Sequence, residues 1–347
     1  MAKAVKLADI AERVGVSTVT VSKALSGQKG VSEEVREKIR SIAEELGYQQ
    51  PSAARKSQNQ KSYNIGILIS ERFLDKYESF YWQMYQAVAT RATAKECFTM
   101  LEVIGMSEEE NGRMPKLVQE RKVDGIIVIG KMMDDYLQHL NTEAGIPVIY
   151  LDYYNGREAS DSVISNSYYG TYELTYYLYR MGHRKIAYIH GDDTSVTKNR
   201  LGSFYRTLQR LGIEEPDEYV KPSFYRDADL AGERTGELLD LKDPPTCILY
   251  PDDYAAMGGI NEIRERGLRI PEDISVAGYD GINIAQVLEP KLTTLCQDTA
   301  AIGRIAAERL IELIEHPKTT VIEKYTVDGT LFKGASVKTL YPSKNFK

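Results

Sequence analysis

Residues 5–26, VKLADIAERVGVSTVTVSKALS, leave little choice of local structure. Leu7, Ile10, Ala11 and Val14 recur at helical spacing, and Gly15 then supplies a tight turn at low steric cost. Val16 is expected as a buried plug behind the turn. Ser17 is placed to cap a second helix, because its hydroxyl can accept an orphan backbone N–H two or three residues on. On that helix Val21, Ala24 and Leu25 share an inward face. Thr18, Val19, Ser22, Lys23 and Ser26 are left outside. Hydroxyls suit phosphates and base edges, the Val19 methyls suit a thymine methyl, and Lys23 suits guanine acceptors. A helix, a Gly turn and a short second helix with that outer face predict a helix-turn-helix whose second helix enters a major groove. Ser17, Thr18, Val19, Thr20, Ser22, Lys23 and Ser26 are its candidate DNA contacts.

A third helix follows, with Ser32 as its cap and Glu33 and Glu34 in the first turn, where the helix dipole favours them. Val35, Ile39, Ile42, Ala43 and Leu46 form its inward stripe, and Gly47 ends it. Residues 5–48 as a whole resemble the N-terminal domain of the lac-repressor (LacI/GalR) family of bacterial transcription regulators. Relatives have a short hinge helix in the minor groove over the segment matching Gln49–Ser57. Ala54 and Arg55 match the family's Ala-Arg pair, so minor-groove contact is expected from Ala54, Arg55 and Lys56. Ser57 stands where relatives wedge a leucine between base steps, a task that needs an apolar side chain. Gln58–Ser62 is a polar linker.

A chain of 347 residues needs two or three compact units. Residues 1–61 carry eleven Lys or Arg against seven Asp or Glu. The whole chain is at −6, so a head at +4 precedes a body at −10. That asymmetry fits a phosphate-binding head on a body that is not itself a DNA surface. Cys97, Cys247 and Cys296 are too far apart for zinc spacing or a disulfide framework, which fits a reducing cytoplasm. No apolar run reaches the ~18 residues of a membrane span, and the first residues lack the apolar core of an export signal.

From Tyr63 the pattern changes to short apolar runs between amphipathic helices. Expected strands are Ile65–Ile69, Phe98–Ile104, Val123–Gly130 and Pro147–Asp152, with helices at Phe80–Ala94, Met114–Arg121 and Asp134–Leu140. A second set comprises strands at Lys185–His190, Thr246–Tyr250 and Ile274–Tyr279, with helices at Arg200–Leu211, Ala255–Arg266 and Thr299–Ile314. Tyr168–Tyr179 reads as a surface helix. Runs this apolar, alternating with helices, require parallel sheets covered on both faces. The stretches Val123–Ile127, Met181–Ala187, Pro271–Asp280 and Leu292–Thr294 resemble, in this order, the family's effector domain. The resemblance implies an α/β chain with an all-α helix-turn-helix DNA-binding domain at 1–49 and a hinge or linker at 50–62. A two-lobed periplasmic-binding-protein-like effector-binding and dimerisation domain with parallel sheets then spans 63–340. Its lobes are approximately 63–165 plus 296–325 and 166–295 plus 326–340.

Strand ends put Ser70, Asp152, Asp252 and Asp280 at the rim of the cleft between the lobes, with Arg200 beside them. Carboxylates and a guanidinium suit neighbouring hydroxyls. In the family, the positions matching Asp152, Arg200 and Asp280 contact the small-molecule effector, while Asp252 replaces a common asparagine. Phe80, Trp82 and Phe224 are candidate walls of the cleft. The four histidines lack metal spacing, and there is no G-x-S-x-G, P-loop or G-x-G-x-x-G, so neither an enzyme nor a cofactor is expected. One recognition helix reads only a few base pairs, so a homodimer on a pseudo-palindromic double-stranded operator is expected. Met257 and Leu288 match hydrophobic interface positions in relatives. The reading is a repressor controlled by a sugar-like effector, with no membrane partner. The alternative is a solute-binding protein for transport, which shares the body fold but needs no DNA head.

Overall fold

The computed structural model describes all residues except 1–5, 26–29, 47, 49–62, 75–79, 155–159, 192–193, 215–216, 225, 318, 320 and 342–347. The chain divides into two compact units, Met1–Ser62 and Tyr63–Lys347.

In the first unit, α1 (Leu7–Val14), α2 (Thr18–Leu25) and α3 (Glu33–Glu45) close over Ile10, Ala11, Val21, Ala24, Ile39 and Ala43. Gly15 ends α1 in the left-handed region at φ 80°, and its N–H returns to the Ala11 carbonyl. The Ser17 hydroxyl accepts the Thr20 N–H at 3.1 Å, the cap that starts α2. Val16 is half-buried against this core rather than fully enclosed, because it sits at the edge where the turn leaves the cluster. Arg36 of α3 is 7% exposed and donates from Nη1 to the Ala24 carbonyl at 2.8 Å. It thereby tethers the last turn of α2, whose carbonyls have no partner within the helix. Ser26, Gly47 and, in the expected hinge, Ala54, Arg55, Lys56 and Ser57 lie outside the described residues.

The second unit is built on two six-stranded sheets. The first lobe contains β1 (Asn64–Ser70), α4 (Phe80–Ala94), β2 (Phe98–Ile104), α5 (Met106–Glu110), α6 (Lys116–Gln119), β3 (Gly125–Ile129), α7 (Asp134–Glu143), β4 (Val148–Leu151) and β5 (Asp161–Ser165). The second contains α8 (Ser167–Arg180), β6 (Ile186–His190), α9 (Ser195–Arg210), β7 (Val220–Pro222), α10 (Ala228–Leu239), β8 (Cys247–Leu249), α11 (Asp253–Glu265), β9 (Ser275–Asp280), α12 (Asn283–Val287) and β10 (Thr293–Cys296). The chain then returns through α13 (Thr299–Glu315) and β11 (Lys324–Val327) to the first lobe, and ends the fold with β12 (Thr330–Phe332) in the second sheet. The orders are β11-β5-β4-β3-β1-β2 and β12-β10-β9-β8-β6-β7. Every pairing is parallel except β10 with β12.

Side-chain alternation along β1 shows why both faces must be covered. Ile65, Ile67 and Ile69 pack with α4 and α13, and Leu68 packs with α7 on the other side. In the second sheet, Ile189, Ile248 and Val276 meet α10 and α11, whereas Tyr188, Leu249 and Ala277 meet α8 and α9. β11 keeps the chain in the first sheet through Val327, two residues past the expected crossover at 325. Met114–Arg121 is shorter than expected. Only Lys116–Gln119 is helical, its start set by Pro115 and by the Glu102 carboxylate, which accepts the Lys116 and Leu117 N–H groups. Among the described residues, no helix is long and apolar enough to cross a membrane.

Candidate functional site

On α2 the buried face is Val21 and Ala24, each with no exposed surface. Thr18, Val19, Ser22 and Lys23 are exposed, with Val19 at 61%, and Thr20 is half-buried. An exposed valine beside two hydroxyl-bearing residues and a lysine is a face that can press a methyl and polar groups against base edges. Ser17 is exposed but committed to the cap, and its hydroxyl also bonds that of Thr20 at 2.8 Å.

In the second unit, a cavity of about 250 Å³ lies between the lobes. The first lobe contributes Phe80, Tyr81, Asp152, Arg72 and Lys131; the second contributes Arg200, Asp280 and the first turn of α9. Arg200 is 6% exposed. Its Nη1 donates to the Pro251 carbonyl at 2.8 Å, and its Nη2 lies 3.5 Å from the Asp280 carboxylate. Its guanidinium stacks 3.6 Å over the Tyr279 ring. Burial works against its charge, but Tyr279, Asp280 and Asp152 outweigh that and hold it protonated. Asp152 accepts the Tyr81 hydroxyl at 3.2 Å, and the Gln297 amide donates to Asp280 at 2.6 Å. Both aspartates have positive φ, 56° and 96°. The turns after β4 and β9 therefore aim them sharply, in a backbone region uncommon for residues other than glycine.

Burial pushes the carboxyls of Asp152 and Asp280 up to about 6 from 3.8, even though Arg200 favours the ionised forms. Oδ1 of Asp152, Nε of Arg200 and Oε1 of Gln297 are buried and have no hydrogen-bond partner. Buried polar atoms left unpaired are costly, so the two on Asp152 and Arg200, which line the cavity, define a site shaped for a polar occupant.

Of the residues expected at this cleft, Phe80, Asp152, Arg200 and Asp280 come together around the cavity; Ser70, Asp252 and Phe224 do not line it. Ser70 is fully buried and donates to Glu109. Asp252 caps α11, accepting the Ala255 N–H at 2.9 Å, and also accepts the Arg226 N–H at 3.0 Å. Phe224 is 62% exposed. Trp82 stacks on Tyr85 rather than lining the cavity. Met257 and Leu288 are half-buried within the chain itself, Met257 against the first-lobe core and Leu288 against the second. Tyr81, Gln297, Arg72 and Lys131 were not singled out by sequence, since they belong to no motif. His183 is buried between Thr246 and the Lys338 carbonyl, a structural role at the turn into β6, and burial lowers its pKa to about 4.

Comparison with known proteins agrees with this division into reader and cavity. Residues 6–51 match the bacterial regulatory proteins of the lacI family, and residues 175–337 match the periplasmic binding protein-like domain. The chain is 30% identical over 324 residues to the ribose operon repressor of Haemophilus influenzae, covering 91% of this chain and 95% of that one. Among solved structures, the lac repressor dimer bound to operator and the anti-inducer ONPF is similar at TM-score 0.74 and 26% identity, covering 97% of this chain and all of that one. The transcriptional regulator CelR in complex with cellobiose is similar at TM-score 0.72 and 26% identity, covering 96% and 99%. Since likeness extends from the exposed face of α2 to the last strands of the second lobe, the chain belongs to the lacI family of bacterial regulatory proteins.

Proposed function

We propose that this chain represses transcription by binding a pseudo-palindromic operator as a homodimer, and that a sugar or sugar derivative between its lobes controls the binding. The observation that carries the effector half is the inter-lobe cavity, lined by Arg200, Asp152 and Asp280, where Arg200 and Asp152 each keep one buried polar atom unpaired. Vicinal hydroxyls each donate and accept, which is what that mixture of carboxylates and guanidinium needs. The names of the ribose operon repressor and of the CelR–cellobiose complex support a sugar. On the DNA side, Thr18, Val19, Ser22 and Lys23 read base edges, while Ser17, Thr20, Ser26, Ala54, Arg55 and Lys56 complete the contact surface. Met257 and Leu288 belong to the dimer surface. The protein works in the cytoplasm and has no catalytic role, in line with relatives that are named as repressors.

Effector binding changes the angle between the lobes and so the spacing of the paired heads. Linkage then requires that an effector which weakens operator binding itself binds the operator complex less well, by the same factor. Selecting preferred duplexes from a random pool, then titrating sugars against the selected duplex by fluorescence anisotropy, tests both halves. Arg200→Ala is expected to keep operator binding and lose the sugar response. No preference over random duplex would overturn the DNA half, and an unchanged sugar titration in Arg200→Ala would overturn the effector half.

A further inference from the structure

The outward face of α8 departs from what a helix at a lobe surface normally presents. Leu174 and Leu178 point into the second-lobe core, and Gly170 lets the helix close on Tyr279 and Leu295. The opposite face of such a helix is ordinarily charged. Here it carries Tyr169, Tyr172, Tyr176 and Tyr179, with only Glu173 and Arg180 among them. At 3.6 residues per turn these six fall within about a third of the helix circumference. Tyr169 and Arg180 are exposed, and the other four are half-buried.

The rings order one another. Tyr172 and Tyr176 stack with centroids 5.7 Å apart and planes 7° from parallel. Tyr176 and Tyr179 follow at 6.3 Å and 18°, and Tyr169 meets Tyr172 at 6.1 Å. Arg184 closes the row, with its guanidinium 3.8 Å over the Tyr179 ring. It is fixed there by donating to the Tyr179 carbonyl at 3.0 Å and to the Tyr341 hydroxyl at 2.7 Å. Tyrosines held in this way have little side-chain freedom left to lose on association, and tyrosine is prominent among the residues that dominate interfaces.

The spacing points to the occupant. Steps of three, four and three from Tyr169 to Tyr179 are those of a and d positions in two heptads, which makes Glu173 and Arg180 both e positions. Seven residues put these two charges about 10 Å apart along the axis, too far to pair within one helix. Two copies of α8 laid antiparallel set the first heptad of one against the second heptad of the other. Tyr169 then faces Tyr179, Tyr172 faces Tyr176, and Glu173 of each copy meets Arg180 of the other. Laid parallel, the e positions would instead face g positions, Tyr168 and Thr175, which carry no charge.

We propose that the tyrosine face of α8 is a contact with α8 of a second copy of this chain, antiparallel and two-fold symmetric. It goes beyond the operator dimer proposed above and does not compete with it, because Met257 lies on α11, which covers the other face of the second sheet. Together the two contacts join dimers in pairs. A helix of 14 residues, about 21 Å long, makes a small contact, so association at micromolar rather than nanomolar concentration is expected.

The test is sedimentation velocity of the full chain over a range of micromolar concentrations, beside Glu173→Arg, Arg180→Glu, the double swap and a chain lacking residues 342–347. The parent is expected to associate with rising concentration into a species twice the mass of either single variant. Each single variant sets like charges face to face and should weaken the contact about tenfold or more. The double swap should restore it, and a mixture of the two singles should associate better than either alone. Rising salt should loosen the parent and favour the singles. All should melt alike, since both charges lie on the outer face. The mass shared by the single variants reports the operator dimer by itself, so the two contacts fail separately. A parent mass equal to that of the single variants, or a double swap that stays dissociated, would overturn the proposal. Association only after removal of residues 342–347 would also overturn it, because the segment following Tyr341 would then be what covers the tyrosine row.

Discussion

Asp152→Asn is expected to make the protein more stable and, at the same time, deaf to its effector. Asp152 is almost fully buried, and burial lifts its carboxyl from 3.8 to about 6 despite the attraction of Arg200. A rise of that size corresponds to about 3 kcal/mol, the cost of carrying the ionised form in the folded state. The direction with pH follows. Below 3.8 the carboxyl is protonated whether folded or not, and no cost arises. As pH rises to about 6 the unfolded chain ionises first, so folding stability falls by that amount and stays lower above. Asparagine does not titrate, keeps an acceptor for Tyr81, and tolerates the left-handed backbone at φ 56° better than most residues. Arg200 retains Asp280. The ceiling on the gain at about pH 7.5 is thus about 3 kcal/mol, shrinking toward zero near pH 4. Urea unfolding of both proteins at those two pH values measures it. His183 titrates in the opposite sense: its stability contribution is present above 6.5 and lost as pH falls toward about 4. That term is common to both proteins and cancels in the difference. A variant no more stable than the parent at about pH 7.5 would refute the reasoning, since it would mean that pairing with Arg200 outweighs burial.

Arg36→Met removes the tether from α3 to the Ala24 carbonyl, and a loss of about 2 kcal/mol in head stability is expected, read as earlier thermal unfolding and as weaker binding to every duplex. Lys23→Ala should lower affinity for the preferred duplex about tenfold or more while lowering random-duplex affinity much less; equal losses would show that Lys23 touches only phosphate. Gly258→Ala would bring a Cβ to 1.9 Å from the Ala228 carbonyl oxygen, forcing α10 and α11 apart, and should cost about 3 kcal/mol in urea unfolding. Gly202→Ala, on α9 with open space around it, should instead leave stability equal or slightly higher.

Strong periodic signals made the head and most central strands legible. VKLADIAERVGV and the run Ile65–Ile69 each offer one conformation that buries their apolar atoms. Elements with weak patterns of their own, such as β5 and α10, were not, because they depend on their neighbours. β5 is the polar run Asp161–Ser165, held by parallel pairing to β4 and β11. α10 carries Gly232 and Gly236, which weaken a helix on propensity alone but let it approach α11 closely. Asp152, Arg200 and Asp280, expected from family likeness, line the inter-lobe cavity. Asp252 was misplaced even though an aspartate directly before a helical run signals a cap, as its bond to the Ala255 N–H shows. Ser70 ends a strand as expected, but its partner lies 39 residues away and cannot be read from local spacing. Tyr81 and Gln297 enter through single long-range hydrogen bonds to the two aspartates, which leave no trace in sequence.

Threading of the chain between the two sheets also sets when each part can mature on the ribosome. The head closes on contacts within its own first forty-odd residues and is free to fold soon after it emerges. The first lobe must wait. One face of its sheet lacks the cover of α13, and its edge lacks β11, until about residue 327 has been made. During that interval Ile65, Ile67 and Ile69 lack the cover of α13, so the nascent chain carries a folded head ahead of an unfinished first lobe. A polypeptide cut short before α13 would therefore keep a head able to fold while never completing the first lobe.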